Sequence, residues 1–588
     1  MWIRPLEKSR AHKYLEKYFK IIYYNTVNAP GKAAGAKQRS SERKEQIFMT
    51  YKSTRGAAKG ISFSEAVLKG IAPDGGLFVP EQDVRFDSLE LAEMCGMDYK
   101  TLAAHIFKRY AGDFTDAEIE YCVDRAYGSG SRFDAEDPAP VRQLSRNLSV
   151  MELWHGPTAA FKDMALQALP AFMSVALKKR RRAENVSAAA DAQGAEGGSQ
   201  SRTSDTKIAI LTATSGDTGK AAMEGFKDAP GIDIMVFFPE NGVSEMQSRQ
   251  MQTQEGGNIR VVAVRGNFDD AQTGVKRIFG DDTFRDAILR EGWQLSSANS
   301  INFGRLLPQI VYYFHAYFSL VRSESINLGA PVNFVVPTGN FGDILAAYYA
   351  YKNGLPVGRL ICAANSNSVV ADFINTGYYN ANREFKVTIS PAMDILISSN
   401  LERLIYDMSG EDEKTTAKLM MDLRTNGSYN VDRAVLSGIT SLFWADKASE
   451  DETRATISDY WKQYRYLVDP HTAVGLNVYD KYVISSGDLT PTVAVSTASP
   501  FKFNRSVAEA VFSSTNGYGS LPDGAAPDTD NISEFTLLTL LSETTGCPIP
   551  APLQGLNKKP LLHTGVCDKD KMEDEVLSFL RREVQSAK

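Results

Sequence analysis

The chain has 588 residues, with 65 Lys and Arg against 71 Asp and Glu and a formal net charge of −6, which leaves room for two or three domains. This slightly acidic balance, without a concentrated basic face, argues against a nucleic-acid partner, and no apolar run is long enough to span a membrane. Five cysteines (Cys95, Cys122, Cys362, Cys547, Cys567) lack CxxC spacing and six histidines lack metal-ligand spacing, so the chain reads as a cytoplasmic protein with free thiols and no metal site.

Residues 1–48 carry Lys and Arg throughout, but also Glu7, Glu16, Glu42 and Glu45. The acids argue against a mitochondrial transit peptide, and a secretory apolar core is missing. The segment reads as a disordered extension, with Met49 as an alternative start. The first informative strand, 148–153, runs into a Gly156-Pro157 turn, and Lys162 follows at the mouth of an apolar helix over 164–177. A lysine at a helix start feels the positive end of the helix dipole and partial desolvation, and both weaken its hold on a proton. That favours the neutral amine a Schiff-base lysine presents to a carbonyl cofactor. Taken alone, a solvated lysine at a helix N-terminus is the plainer reading; the segments downstream decide against it. The basic cluster Lys178-Lys-Arg-Arg-Arg182 reads as a solvated helix C-terminus. Residues 183–206, rich in Ala, Gly, Ser and Gln, read as a disordered insertion.

Next comes a short buried strand, 207–213, that breaks at Thr214, Ser215, Gly216, Asp217, Thr218 and Gly219 and resumes as a helix over 220–227. Strand, Gly-rich turn and helix N-terminus aim several backbone N–H groups at one spot, which makes an anion site. An ATP-binding P-loop fails on spacing: no glycine stands four residues before Gly219-Lys220, and Ala221 replaces the magnesium-holding Ser or Thr. A strand over 232–238, a helix over 244–254, a strand over 259–264, a helix over 269–279 and a long amphipathic helix over 304–321 follow. A second buried strand, 332–336, opens through Gly339, Asn340, Phe341, Gly342 and Asp343 into a helix over 344–351, a second anion cradle with glycines where a phosphate must approach closely. The last strand, 492–496, ends in Thr497-Ala-Ser-Pro500. Alternating strands and helices imply parallel sheets covered on both faces. The motifs all lie at the carboxyl ends of strands, where such sheets bind ligands.

Eight blocks in order carry a family resemblance: Tyr51-Lys-Ser-Thr-Arg-Gly56, Asp74-Gly-Gly-Leu-Phe-Val-Pro80, His155-Gly-Pro-Thr with Phe161-Lys162-Asp163, Thr214 to Gly219, Asn299-Ser-Ile-Asn302, Gly339 to Asp343, Ser390-Pro-Ala-Met-Asp-Ile395 with Ser398-Ser-Asn400, and Asp469-Pro-His-Thr-Ala-Val-Gly475. From about Met49 onward the chain resembles the threonine synthases, in the longer type of fungi and many bacteria. The resemblance implies an α/β, tryptophan-synthase-β-like fold (type II among pyridoxal phosphate enzymes). Two parallel-sheet domains would carry an N-terminal layer over 49–147 and a helical C-terminal cap over 506–588. Residues 148–330, with the insertion 183–206, would hold the small βα domain, and 331–505 the large cofactor-binding domain.

The resemblance further implies that Lys162 holds pyridoxal 5′-phosphate, passes it to the substrate amine and then acts as the base at Cα. Gly339, Asn340, Phe341, Gly342 and Asp343 would cradle the cofactor phosphate, and the Thr497 hydroxyl would meet the ring nitrogen. Thr214, Ser215, Gly216, Asp217 and Thr218 would clamp the substrate carboxylate, with Asn302 and Arg305 as further substrate contacts. Asp217 is awkward, because many relatives place Asn there; its carboxylate would be protonated or face outward. The substrate phosphate needs cations, and Arg305, Lys52 and Arg55 are the candidates, each also readable as an ordinary ion pair. His155 reads equally as a packed core histidine and His471 as a structural turn residue. The implied reaction takes O-phospho-L-homoserine and water to L-threonine and phosphate, in a monomer or homodimer. A phospho-lyase or dehydratase giving a 2-oxo acid on the same scaffold is the alternative; a non-enzymatic relative and a nucleotide-dependent kinase fit less well.

Overall fold

The architecture is that of a computed structural model, and it describes residues 48–130, 132–192, 206–214, 216–513 and 529–586. In chain order the strands are β1 (Tyr51–Ser53), β2 (Phe78–Pro80), β3 (Val141–Gln143), β4 (Leu148–Glu152), β5 (Lys207–Ala213), β6 (Ile232–Pro239), β7 (Ile259–Arg265) and β8 (Trp293–Ser296). They continue with β9 (Val332–Pro337), β10 (Val357–Ala364), β11 (Tyr378–Asn380), β12 (Ser428–Asn430), β13 (Phe443–Lys447), β14 (Thr492–Ser496) and β15 (Gly565–Asp568).

Two sheets organise the site. The larger runs β13-β10-β9-β14-β4-β3, with β3 antiparallel to β4 at the edge and the other pairings parallel. The smaller runs β15-β7-β6-β5-β8 and is parallel throughout. Parallel strands flanked by helices on both faces must be apolar at successive positions; β6 and β9 are buried along their whole lengths. Each Val, Ile, Leu or Phe so buried contributes about 1.5–3 kcal/mol. The helix Phe303–Arg322 is buried everywhere except Ser319 and Arg322, and its aromatic side chains belong to the cluster that joins the strand cores of both sheets. β1 and β2 form a separate antiparallel pair in the N-terminal layer.

Three features differ from the sequence reading. The helix expected over 164–177 is two helices, Lys162–Leu166 and Leu169–Ala192, with a tight connection in which Ala168 N–H donates to the Ala165 carbonyl. The second helix runs on through the basic cluster, so those residues lie within it rather than at its end. It continues to Ala192 because Ala and Glu propagate a helix well, and Lys179 to Glu118 (3.3 Å) and Arg180 to Gln294 (2.7 Å) tie its flank down. Of the insertion 183–206, residues 193–205 lie outside the described residues, as do residues 1–47 of the extension. The C-terminal segment is not purely helical either: β15 lies parallel beside β7 and completes the edge of the smaller sheet, burying Cys567 against it. Among the described residues no helix is long and apolar enough to cross a membrane.

Candidate active site

Lys162 is delivered by a turn that leaves little freedom. Asp163 accepts both the N–H and the hydroxyl of Thr158 at 2.8 Å, and burial pushes its carboxyl up to about 6 against those two bonds. Gly156 is required there, since a Cβ would stand 2.5 Å from that of Asp163. The turn is zipped to the chain leaving β14: Phe161 N–H donates to the Thr497 carbonyl (2.7 Å) and Ser499 N–H to the Ala159 carbonyl (3.0 Å). Lys162 therefore opens the helix Lys162–Leu166 at 7 % exposure, its ammonium position 5.4 Å from the centre of the Phe161 ring.

Three charged groups converge on it. Asp217, first residue of the helix Asp217–Phe226, places Oδ2 3.4 Å from Lys162 Nζ. Its Oδ1 receives Lys502 Nζ and Gln247 Nε2, both at 3.0 Å. Burial lowers the pKa of Lys162, helped by the positive charges of Lys502 and Arg305 and opposed by Asp217. Burial would raise Asp217, but Lys502 and Lys162 outweigh it and hold the carboxyl far below the usual range. The side chain is buried and turned inward, which corrects the outward-facing alternative, and the two lysines beside it favour the carboxylate over the protonated form. Lys502, which the sequence reading passed over, is buried and also donates to the Thr158 carbonyl at 2.9 Å. Its only sequence signal is nearness to Thr497, in Thr497-Ala-Ser-Pro-Phe-Lys502.

The second Gly-rich loop, Gly339 to Asp343, follows β9. Phe341 adopts a left-handed conformation (φ 62°) at the start of the helix Gly342–Lys352, a strain the surroundings must impose on a non-glycine residue. Ser398 Oγ donates to the Gly339 carbonyl at 3.0 Å, and Asn400 donates from its N–H and its Nδ2 to the Asn340 carbonyl, both at 3.1 Å. A Cβ on Gly339 would lie 2.7 Å from the Ala392 carbonyl oxygen. The loop and the helix start are thus braced, in an arrangement that suits an anion cradle. The Asp343 side chain turns away from it to accept the hydroxyls of Tyr312 and Tyr313, and burial raises its carboxyl to about 6.

The remaining candidates separate clearly. Thr214 Oγ1 accepts Gly216 and Gly219 N–H at 3.0 Å each, so it shapes the turn. Gly216 has φ +134° and no room for a Cβ beside Gln247, and Thr218 is half-buried on the first turn of the helix. Ser215 lies outside the described residues. Asn302 is committed to structure: its Oδ1 accepts Gly304 N–H (2.9 Å) and its Nδ2 donates to the Val67 (2.9 Å) and Ser297 (3.2 Å) carbonyls. These three bonds give its amide a structural role.

Arg55 forks onto Glu402 (2.8 and 2.7 Å) and Lys52 meets Glu411 at 2.5 Å, so both cations are neutralised. Arg305 differs. It is buried, donates to the Ala298 carbonyl (2.9 Å), and meets no carboxylate among the described residues; burial lowers its pKa to about 10. His155, expected equally as a packed core histidine, is partly buried and bridges Asp134 (2.9 Å) and Glu152 (2.8 Å). His471 is helical, in Pro470–Ser486, and accepts Ala392 N–H on Nε2 (3.1 Å) while Nδ1 faces Asp469 (2.7 Å). Among the described residues no cluster suits a metal ion.

Residues 134–497 match the family described as "Pyridoxal-phosphate dependent enzyme". The site and the two sheets define a fold type II pyridoxal phosphate lyase. The residues fit that cofactor: a buried lysine with a weakened hold on its proton, a braced amide cradle at a helix start, and a Thr497 hydroxyl without a hydrogen-bond partner among the described residues. The flanking segments match "Threonine synthase N terminus" over 50–127 and "Threonine synthase, C-terminal" over 472–528. The chain belongs to the threonine synthase family.

Threonine synthase from Pseudomonas aeruginosa is 39% identical over 466 residues, covering 79% of this chain and 90% of that one. The human protein named threonine synthase-like 1 is 38% identical over 461 residues, 76% of this chain but only 58% of that protein's length. Among solved structures, PLP-bound threonine synthase from Brucella melitensis superposes with a TM-score of 0.75 at 34% identity, covering 91% of this chain and 100% of that one. The yeast threonine synthase structure gives 0.74 at 29%, covering 91% and 99%.

Proposed function

We propose that this protein converts O-phospho-L-homoserine and water to L-threonine and inorganic phosphate. In net terms the Cγ–O bond and one Cβ–H bond break, the water oxygen bonds to Cβ as a hydroxyl, Cγ takes up a proton in exchange for the one Cβ lost and becomes a methyl group, and the remaining proton of water leaves with the phosphate. Bound at Lys162, pyridoxal phosphate supplies the electron sink that acidifies Cα–H of an amino acid. The observation that carries the substrate class is Arg305: a buried cation beside Lys162 that meets no carboxylate among the described residues suits a dianionic phosphate that arrives with the substrate.

The other roles follow from position. The backbone amides of Gly339, Asn340, Phe341, Gly342 and Asp343 hold the cofactor phosphate. The Thr497 hydroxyl meets the ring nitrogen, and a neutral partner there does not enforce a protonated ring. The amides at the start of the helix Asp217–Phe226, with the Thr218 hydroxyl, receive the substrate carboxylate, while Thr214 and Gly216 fix that turn. Lys162 Nζ, buried and biased toward the neutral amine, takes the proton from Cα. A 2-oxo acid product would require the same lysine and differ only in where water is admitted.

The test is to supply O-phospho-L-homoserine and follow threonine, 2-oxobutyrate and phosphate together, with Lys162→Ala alongside. Threonine and phosphate should appear in equal amounts and fall by at least ~10³-fold in the variant. Phosphate accompanied by 2-oxobutyrate would replace this reading with the lyase. Absence of phosphate release from cofactor-loaded protein would overturn the substrate assignment.

A further inference from the structure

Asp217 carries one negative charge between two buried lysines. Lys502 Nζ is within 3.0 Å of Oδ1 and 2.9 Å of the Thr158 carbonyl, two acceptors that suit a charged ammonium and leave it well held. Among the described residues Lys162 Nζ has one polar contact, to Oδ2 of the same carboxylate at 3.4 Å. Gln247 Nε2 donates to Oδ1 and fixes the plane of the carboxylate. The other charged or titratable groups facing this pair are Arg305 from the helix Phe303–Arg322 and His471 from Pro470–Ser486, with Asp163 and Lys220 near Lys502. One carboxylate cannot neutralise two buried ammonium groups, and Arg305 adds a third positive charge. Such a site sheds a proton from the group held least well.

We propose that Lys502 is a positioning residue that commits Asp217 to itself, so that of the two lysines sharing the carboxylate it is Lys162 that gives up its proton. Lys502 need touch neither substrate nor cofactor. It acts through Asp217, keeping that carboxylate from becoming the private counter-ion of the Lys162 nitrogen. Burial and the charges of Lys502 and Arg305 all bias Lys162 in this direction. Removing Lys502 leaves Asp217 free to stabilise positive charge on that nitrogen, and removing Asp217 instead leaves two cations to oppose it.

This inference rests on Lys162 being the cofactor lysine, and the experiment separates the two ideas. The readout is the pH titration of the visible cofactor absorption of the purified holoenzyme. Lys162→Ala should lose that absorption; if it does not, the assignment of Lys162 fails. In Lys502→Met the titration midpoint should rise by about one pH unit or more, in Lys502→Arg it should stay with the unaltered protein, and in Asp217→Asn it should fall. Lys502→Met added to Asp217→Asn should raise the midpoint by less than Lys502→Met does alone, because only the direct repulsion between the two lysines is then relieved. An unmoved midpoint in Lys502→Met, or an undiminished shift in the Asp217→Asn background, would overturn the proposal. Where Lys502 variants do not fold, Asp217→Asn decides alone: a midpoint unchanged or raised overturns it.

Discussion

Phe161 N–H donates to the Thr497 carbonyl over 2.7 Å, so the residue just before Lys162 is bonded through the backbone to the residue whose hydroxyl is assigned to the ring nitrogen. The Ala160–Ala498 bridge and the Ser499 to Ala159 bond continue the same antiparallel pairing beyond it. Two sites 335 positions apart in sequence (497 less 162) are thereby held in fixed register without any side chain taking part. A cofactor gripped at one end by lysine and met at the ring by threonine needs that distance constant, and backbone hydrogen bonds supply it whatever the protonation state of the site.

Because the strut uses only the Thr497 backbone, the hydroxyl can be removed without loosening it. Thr497→Val should fold and load cofactor normally, with turnover reduced by about 10–100-fold, the value of one hydrogen bond at a reacting group. Steady-state kinetics with a cofactor spectrum decide it. Turnover equal to that of the unaltered protein would remove the hydroxyl from the site.

Arg305 should act on substrate binding before it acts on chemistry. Arg305→Gln keeps a polar side chain beside the Ala298 carbonyl but removes the charge. KM for O-phospho-L-homoserine should rise by about 10–100-fold, with a smaller change in kcat, and inhibition by inorganic phosphate should weaken in parallel. If KM and phosphate inhibition both hold steady in folded protein, another group binds the phosphate.

Asn302 should behave oppositely, as structure rather than substrate contact. Its side chain caps the helix Phe303–Arg322 and ties it to Val67 and Ser297. Asn302→Ala should cost about 1–3 kcal/mol of stability, measured by denaturant unfolding, while KM at a permissive temperature stays within about threefold. A large KM increase with unchanged stability would restore the substrate role.

Much of this was legible because it is local. β5, β6, β9 and β14 are apolar runs that only a covered parallel sheet accommodates, and Lys162 and the two Gly-rich turns stand in contiguous motifs. What escaped depends on distant parts of the chain meeting. Lys502 follows Pro500-Phe501 like many exposed lysines, and only Thr158 and Asp217, 344 and 285 positions away (502 less 158 and 217), make it a buried ion. Asp217 was ambiguous for the same reason, since its protonation is set by a partner the local motif does not contain. The pairings of Arg55 with Glu402 and Lys52 with Glu411 likewise join the N-terminal layer to the larger domain, and no spacing rule announces them. The capping role of Asn302 was missed although the signal was there: Asn before Phe303-Gly304 at the start of a helical pattern is a cap.

His155 offers a prediction in pH. Burial would lower its pKa, but hydrogen bonds to Asp134 and Glu152, reinforced by their charges, outweigh that and raise it to about 9 from an ordinary 6.5. A raised folded-state value means the folded protein binds the proton more tightly than the unfolded chain. The stabilisation is therefore complete below pH ~6.5, shrinks as pH climbs, and is gone above pH ~9. With partial solvent access to the three side chains it amounts to on the order of 1–2 kcal/mol. Because Asp134 N–H also donates to the His155 carbonyl (2.9 Å) and Glu152 accepts the Tyr466 hydroxyl (2.9 Å), the ring is only part of the tie between the segment at 134 and the end of β4. His155→Gln should thus remain folded, be less stable than the unaltered protein at pH 6, and approach it at pH 9.5. Unfolding free energies that differ by the same amount at both pH values would show that the imidazole contributes packing alone.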